Sequence, residues 1–424
     1  MHHLILGAGP AGVIAAETLR QLAPQDTVTL VGDEPHAPYS RMAIPYLLMG
    51  RIEEKGTFLR KDAEHFQKRG IALRQGKADQ VDLAKKQVQL VGGETLTYDR
   101  LLLTTGSKAA NPPIEGIESP GVHHCWTLQD AAAIKMLAKP GARVLQMGAG
   151  FIGCIILEAL VEQGVQLTVV EMGDRMVPRM MGPAAGGMIK HWVQSKGVKV
   201  LTGTKVQSIA AGSPLKVSFS DGQTQEFDLV ICATGVKPNI GFLQNSGLVC
   251  KTGVICDASL RTSDPHVFAA GDCAEAFDAA LGHHVVSAIQ PVAAEEARVA
   301  ALNMLGRKAS LSRVPQINVL DTLGLISTSF GQWEGVPDGD HAEQTDALGF
   351  RHISLQFSGE QLVGCNTVGW TDHVGALRGL VDGKVALGEW KNTLMQDPTQ
   401  IVPAYLASAQ NADAWAGAAD TRRR

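Results

Sequence analysis

The sequence is short of the features that mark several large functional classes. It has no excess of positive charge, since 38 Lys+Arg stand against 42 Asp+Glu and leave a net charge of −4. Without a broad basic field, nucleic acid is not an expected partner. No apolar run approaches the roughly 20 residues that span a bilayer, so no membrane span is expected. The N-terminus leads straight into a strand with no cleavable-signal pattern, and the expected location is cytoplasmic. Seven cysteines lie scattered with no C-x-x-C pair, most of them in apolar stretches, which reads as reduced core thiols. The adjacent pairs His2-His3, His123-His124 and His283-His284 lack metal-ligand spacing, because neighbours on a strand face opposite ways, so no metal site is expected. A G-x-S-x-G nucleophile turn is also missing, which disfavours a hydrolase.

What is present is an ordinary globular composition, 45% hydrophobic and 19% charged over 424 residues. That length exceeds what one core supports and predicts two or three domains. Two segments share one glycine spacing. In the first, Leu4-Ile5-Leu6 precede Gly7-Ala8-Gly9-Pro10-Ala11-Gly12, and an amphipathic run continues to Leu22. Gly7 permits a tight turn, Gly9 lets a pyrophosphate approach the backbone, and Gly12 lets helix and strand pack closely. A second strand, Thr27 to Val31, ends at Asp33 and Glu34, where a carboxylate can accept from a ribose hydroxyl.

The second segment repeats each part. A strand from Arg143 to Met147 leads to Gly148, Gly150 and Gly153, with Phe151 and Ile152 between the last two. A helix through Leu160 and a strand from Gln166 to Val170 follow, and Glu171 closes the unit. Two such units predict two dinucleotides, and the chemistry that commonly demands both is hydride passing from a nicotinamide to a flavin.

Three further stretches are "YDRLLLTTGSKAANPP" (Tyr98 to Pro113), "LVICATGVKPN" (Leu229 to Asn239, including Gly235) and "DPHVFAAGDCA" (Asp264 to Ala274). With these the chain resembles the two-dinucleotide flavoprotein reductases of the pyridine-nucleotide disulfide oxidoreductase superfamily. The branch is that of ferredoxin and rubredoxin reductases, NADH oxidases and the flavin part of NADH-dependent nitrite reductase. The resemblance implies an α/β fold with two Rossmann-like dinucleotide-binding domains, for FAD and NAD, plus a C-terminal α+β interface domain. The FAD domain would comprise residues 1–112 and 241–312, the NAD(P)H domain 113–240, and the interface or dimerisation domain 313–424, with a homodimer as the candidate assembly. FAD would lie on the first turn, with Arg41 near the flavin or its phosphates, Ala78 passing the adenine, and Thr105 and Gly106 alongside. Gly271 and Asp272 would form the second FAD motif, Asp272 holding a ribityl hydroxyl and a following helix aimed at the pyrophosphate. NAD(P)H would lie on the second turn. There Glu171 favours NADH by accepting from a free 2′-hydroxyl, although Arg175 and Arg179 follow and offer charge to a 2′-phosphate.

The chain departs from these relatives in places. Met42 stands where some of them carry a redox cysteine, so no thiol relay is expected. Ile155 stands where a glutamate is usual, two residues after the third glycine. Asp321, in "VLDTLGL", stands where many have a lysine, which predicts a lowered flavin potential or an altered nicotinamide pose. The methionines Met172, Met176, Met180, Met181 and Met188 read as gap fillers, and Glu295-Glu296 as a solvated helix face. After about residue 313, "INVLDTLGLISTSFG" and "RHISLQFSGEQLVGCNTVGW" predict strands, with helix-like runs through "PAYLASA" forming one cover of a sheet.

The expected function is an FAD-dependent NAD(P)H:acceptor oxidoreductase that passes electrons to a small ferredoxin- or rubredoxin-type protein, with no catalytic acid or base compelled by the residues. Two alternatives stand beside it. One is direct reduction of a small molecule such as oxygen, a quinone or a sulfur species. The other is a flavin-bearing electron-transfer subunit of a larger complex.

Overall fold

Short runs of Leu, Ile and Val ended by glycine build the parallel sheets, because a strand covered on both faces needs apolar residues at every position. The computed structural model describes residues 1–278, 281–311 and 317–410. It begins with β1 (His2–Leu6), α1 (Pro10–Leu22), β2 (Thr27–Gly32), β3 (Ile71–Gln75) and β4 (Arg100–Leu103). β1 pairs in parallel with both β2 and β4. Its Ile5 faces a core shared with Val13, Ala16 and Leu19 of α1, while Leu4 and Leu6 face the opposite core with Val88, Leu90 and Tyr98. Pro10 opens α1, where its missing N–H costs nothing, and Pro24 follows the last turn.

The chain then builds β5 (Arg143–Met147), α2 (Phe151–Glu162), β6 (Gln166–Val170), α3 (Pro183–Ser195), β7 (Lys199–Leu201) and β8 (Leu229–Cys232). The sheet order is β7-β6-β5-β8, with the short strand Val122–His123 at the far edge. An antiparallel meander from Val206 to Phe227 covers one face, packing Phe219 and Phe227 against Leu145, Val170 and Val230. Next, β9 (Val267–Ala269) and α4 (Gln290–Met304) return to the first sheet and complete the order β9-β4-β1-β2-β3. The residues after 316 form an antiparallel sheet from β10 (Ile317–Thr322), β11 (Leu325–Gly331), β12 (Asp340–Asp346), β13 (Arg351–Ser358) and β14 (Gln361–Val368) in the order β10-β11-β14-β13-β12. Helices α5 (Val374–Gly383), α6 (Trp390–Gln396) and α7 (Ile401–Gln410) complete it.

These elements form two compact units. The first comprises residues 1–110, 126–128 and the described residues from 236 to 311; the second comprises 111–125, 129–235 and the described residues from 317 onward. Within the second unit the antiparallel sheet is covered on both faces. Phe330, Leu355 and Phe357 pack on Leu377, Leu380, Leu394 and Ile401 of the three last helices. On the other face Asn366 of β14 accepts the Gly182 N–H and donates to the Met180 carbonyl, both at 2.9 Å, and Trp192 of α3 donates to the Thr322 and Leu323 carbonyls.

Several expectations are corrected. The helix that follows the Gly271-Asp272 turn is α4, which begins at Gln290, beyond the strand Ala274–Asp278. Met176, Met180, Met181 and Met188 are buried, but Met172 is 66% exposed and fills no gap. Glu295 is on the solvent side of α4, whereas Glu296 is 2% exposed, so the pair is not one solvated face. β12, polar at most positions and exposed, carries no apolar alternation and was not an expected strand.

Phe357 is fully buried between β13 and the covering helices. Phe357→Ala is expected to lower stability by about 3–5 kcal/mol, seen as a lower urea midpoint. An unchanged midpoint removes Phe357 from the core that holds this sheet.

Candidate functional site

Both glycine turns are built by the same kind of contact. At Gly7, φ is +111°, and a Cβ would lie 2.0 Å from the Thr104 carbonyl oxygen. A Cβ on Gly12 would lie 1.9 Å from the Gly7 carbonyl oxygen, so only glycine lets α1 approach the end of β1 this closely. Thr104, just beyond β4, donates from Oγ1 to the Leu6 and Gly7 carbonyls at 3.0 and 2.9 Å and ties the turn to the neighbouring strand. In the second turn, a Cβ on Gly148 would lie 2.5 Å from the Ala233 carbonyl oxygen, and one on Gly153 2.5 Å from that of Gly148. Here the support is Gln146, fully buried in β5, whose Nε2 donates to the Gly148 carbonyl at 3.0 Å.

Gly9 and Gly150 need a different explanation. Their φ values of −77° and −75° suit any residue, and among the described residues no atom beyond the adjoining residues lies within 4 Å of where a Cβ would project. Neither conformation nor packing demands glycine there, and the open space admits a group that approaches the backbone. Each is the N-cap of its helix, and neither α1 nor α2 has a side-chain cap or an acid in its first turn. The first-turn N–H groups and the positive helix end therefore face the open space, which suits the phosphates of a dinucleotide in each unit.

Of the two acids expected to meet ribose after β2, Glu34 has protein partners. Glu34 pairs with Arg41 at 2.6 Å and accepts from the Tyr39 hydroxyl at 2.6 Å. Arg41 also donates to the Tyr39 oxygen at 2.8 Å and the Trp126 carbonyl at 2.6 Å, and its guanidinium lies 5.4 and 5.2 Å from the two ring centres. Burial pushes the Tyr39 phenol well above its ordinary range. Asp33 is exposed at the end of β2. Ala78 starts a strand that follows β3, beyond the point where Gln75 pairs with Gly32. Thr105 donates to the Asn239 carbonyl at 2.8 Å, and the Gly106 carbonyl accepts the Asn239 N–H at 2.8 Å. Asp272 accepts from Ser107 Oγ at 2.6 Å, and burial pushes its carboxyl up.

In the second unit, Glu171 accepts the N–H groups of Ala149 and Gly173, each at 2.8 Å, so it braces the glycine turn as well as ending β6. Arg175 is tied into its own loop by Asp174 and the Met181 carbonyl, both at 2.8 Å, while Arg179 is exposed. Phe151 and Ile152 open α2, and Gly235 has φ +112° with open space at its Cβ position. Asp321 is exposed and accepts the Gly324 N–H at 2.8 Å, closing the β10–β11 hairpin.

Six of the seven cysteines are buried and Cys250 is half-buried. Burial pushes the thiols of Cys125, Cys154 and Cys365 up to about 12, and that of Cys273 to about 11. Cys232 differs. Burial acts to raise its thiol, but hydrogen bonds with His124 and Thr234 outweigh it and hold the pKa below the ordinary value. Met42 is 48% exposed in the short turn Arg41–Ala43.

Sequence reading missed Thr104, Ser107, Trp126, Gln146 and Glu296. Two left a signal: Gln146 is the polar break in the apolar run "VLQM", and Glu296 falls with Val292, Ala293, Ala297 and Ala300 on one helical face. The partners of Ser107 and Trp126 lie far along the chain and left none.

The model of a family described as pyridine nucleotide-disulphide oxidoreductase matches residues 1–297. The chain is 32% identical over 344 residues to the epsilon subunit of NADH-dependent phenylglyoxylate dehydrogenase from Aromatoleum evansii, covering 80% of each chain. It is 30% identical over 346 residues to an NADH oxidase from Methanocaldococcus jannaschii, covering 78% of this chain and 77% of that one. A ferredoxin reductase structure from Rhodopseudomonas palustris superposes with a TM-score of 0.81 at 27% identity, covering 88% of this chain and 92% of that one.

The two kinds of glycine separate in a mutational test. Gly9→Ala is expected to leave apo-protein stability within about 1 kcal/mol of wild type, yet to weaken dinucleotide uptake at least about tenfold. Gly12→Ala is expected to lower the apo-protein melting temperature as well, because its Cβ meets backbone. Equal loss of stability in both variants sinks the distinction.

Proposed function

Because the chain belongs to the pyridine nucleotide-disulphide oxidoreductase family, it is an FAD-dependent NAD(P)H oxidoreductase, and we propose that it draws electrons from NADH for a small ferredoxin- or rubredoxin-type protein without using a thiol. FAD, when bound, supplies the conversion of a two-electron hydride donor into one-electron steps. The chain supplies position and electrostatics. Gly9 and the first turn of α1 receive the FAD phosphates, and Gly150 and the first turn of α2 those of NADH. In this reading Asp272, held by Ser107, accepts from a ribityl hydroxyl, and Glu171, held by Ala149, from the adenosine 2′-hydroxyl. In the assignment we favour, residues 1–112 and 241–312 are the FAD-binding domain, 113–240 the NAD(P)H-binding domain and 313–424 an interface domain of a homodimer.

The observation that carries the reading is the pair of uncapped, acid-free helix N-termini, each with an open glycine. Ferredoxin– and rubredoxin–NAD(+) reductases among the relatives support the acceptor class. Met42 in place of a cysteine, with the thiols buried or half-buried, supports electron exit from the cofactor itself. No helix among the described residues is long and apolar enough to cross a membrane, and a cytoplasmic location belongs to the same reading. A second reading is favoured by the phenylglyoxylate dehydrogenase relative, which is one subunit of its enzyme: the chain would then be the flavin-bearing subunit of a larger complex.

Anaerobic mixing with NADH is expected to bleach the flavin absorbance, and reoxidation by ferredoxin or rubredoxin is expected to outpace that by oxygen or a quinone. No bleaching rejects the enzyme reading, and faster reoxidation by oxygen rejects the protein acceptor. Native mass of the protein purified from its own host distinguishes a free reductase from a subunit. The Glu171 carboxylate repels a 2′-phosphate, so kcat/KM for NADH should exceed that for NADPH by on the order of tenfold or more. Parity between the two removes Glu171 from the specificity argument.

A further inference from the structure

We infer that Glu296 is a positioning residue of the FAD cradle: it holds the Ala270–Asp272 turn as a neutral acid, and its ionisation weakens FAD binding. The inference rests on the FAD reading above. Glu296 is 2% exposed on α4, and its Oε2 accepts the Gly271 N–H at 2.6 Å. Gly271 is itself wedged between two helices. At φ +75° its missing Cβ would lie 3.3 Å from Ala293 Cβ on α4 and 3.4 Å from Ala11 Cβ in the first turn of α1. Glu296 therefore stands behind the backbone that joins the Asp272 carboxylate to the anion-ready end of α1.

The surroundings favour the uncharged form. Ala11, Ala270, Val292, Ala293 and Ala297 belong to one buried apolar cluster around the turn. Among the described residues, the titratable groups that face Glu296 are Asp272 on the turn, Glu295 on its own helix and Cys256 on the strand Val254–Cys256. All three are acids, and the first turn of α1 adds no titratable side chain. Burial is the main cause that pushes the Glu296 carboxyl up to about 8. The Gly271 N–H opposes it and the two acids reinforce it. Near neutral pH one oxygen accepts from Gly271 and the side chain stays uncharged. Once ionised, it adds a second negative charge beside Asp272 and competes with the FAD phosphates for the positive end of α1. Folding stability also falls as this acid ionises. The unfolded chain releases this proton from about pH 4.5, so the contribution of the neutral acid is complete below that value and lost as pH rises to about 8.

The test is the FAD affinity of the apo-protein, read by flavin fluorescence quenching from about pH 6 to about pH 9.5, for wild type, Glu296→Gln and Glu296→Ala. Wild-type Kd is expected to be flat below about pH 7 and to rise about tenfold by the alkaline end, the linkage expected if FAD raises the pKa of this acid by about one unit. Glu296→Gln keeps an acceptor for Gly271 and cannot ionise, so it should hold the low-pH affinity throughout. Glu296→Ala should bind weakly at every pH, because the Gly271 N–H loses its partner. If Glu296→Ala does not fold, the comparison of wild type with Glu296→Gln still decides. A flat wild-type profile, or the same rise in Glu296→Gln, overturns the inference and leaves the FAD reading intact. Wild-type protein that takes up no FAD at any pH overturns both.

Discussion

The close approach of a helix to the strand before it, made twice, is the constraint on which the rest of the molecule depends. Gly12 against the Gly7 carbonyl and Gly153 against the Gly148 carbonyl leave no room for a single methyl group. That approach aims the first turn of α1 and of α2 at the carboxyl end of its sheet, where backbone N–H groups have no intrahelical partner. A surface helix would ordinarily satisfy them with a Ser, Thr or Asp cap. Here the caps are Gly9 and Gly150, and their donors are left for a ligand.

Near each glycine turn, carboxylates are held by other groups of the protein. Glu34 is fixed by Arg41 and Tyr39, Asp272 by Ser107, Glu171 by Ala149 and Gly173, and Glu296 by Gly271. A carboxylate fixed in this way loses little freedom on binding and presents its remaining lone pairs in a set direction. The four differ in environment. Glu34, Glu171 and Asp272 are partly solvated, whereas Glu296 is buried beside an apolar cluster. Burial therefore separates acids that sequence alone makes look alike.

The environment of the cysteines disfavours a relay of electrons through sulfur. A relay through cysteine needs an accessible thiolate, and most thiols here are buried and held protonated. The locus beside Arg41 carries an exposed methionine, which forms no disulfide. Cys232 is the exception in its pKa, but it too is 3% exposed at the end of β8.

The parallel strands, both glycine turns and the helices after them were legible in the sequence because each is a local event. A run such as "HLILGAGPAG" specifies its strand by apolar content and its turn by the residues that alone fit it. The family resemblance was legible for the same reason. What lies between distant segments was not. Trp126 closing over Arg41, Ser107 reaching Asp272, and the strand after Cys273 pairing with Val254–Cys256 depend on segments that meet only in the folded chain. Glu296 shows the limit most plainly: two adjacent glutamates have the same chemistry on paper. Only the packing of α4 against α1 places one of them in water and the other against the Gly271 N–H, where solvent no longer supports its charge.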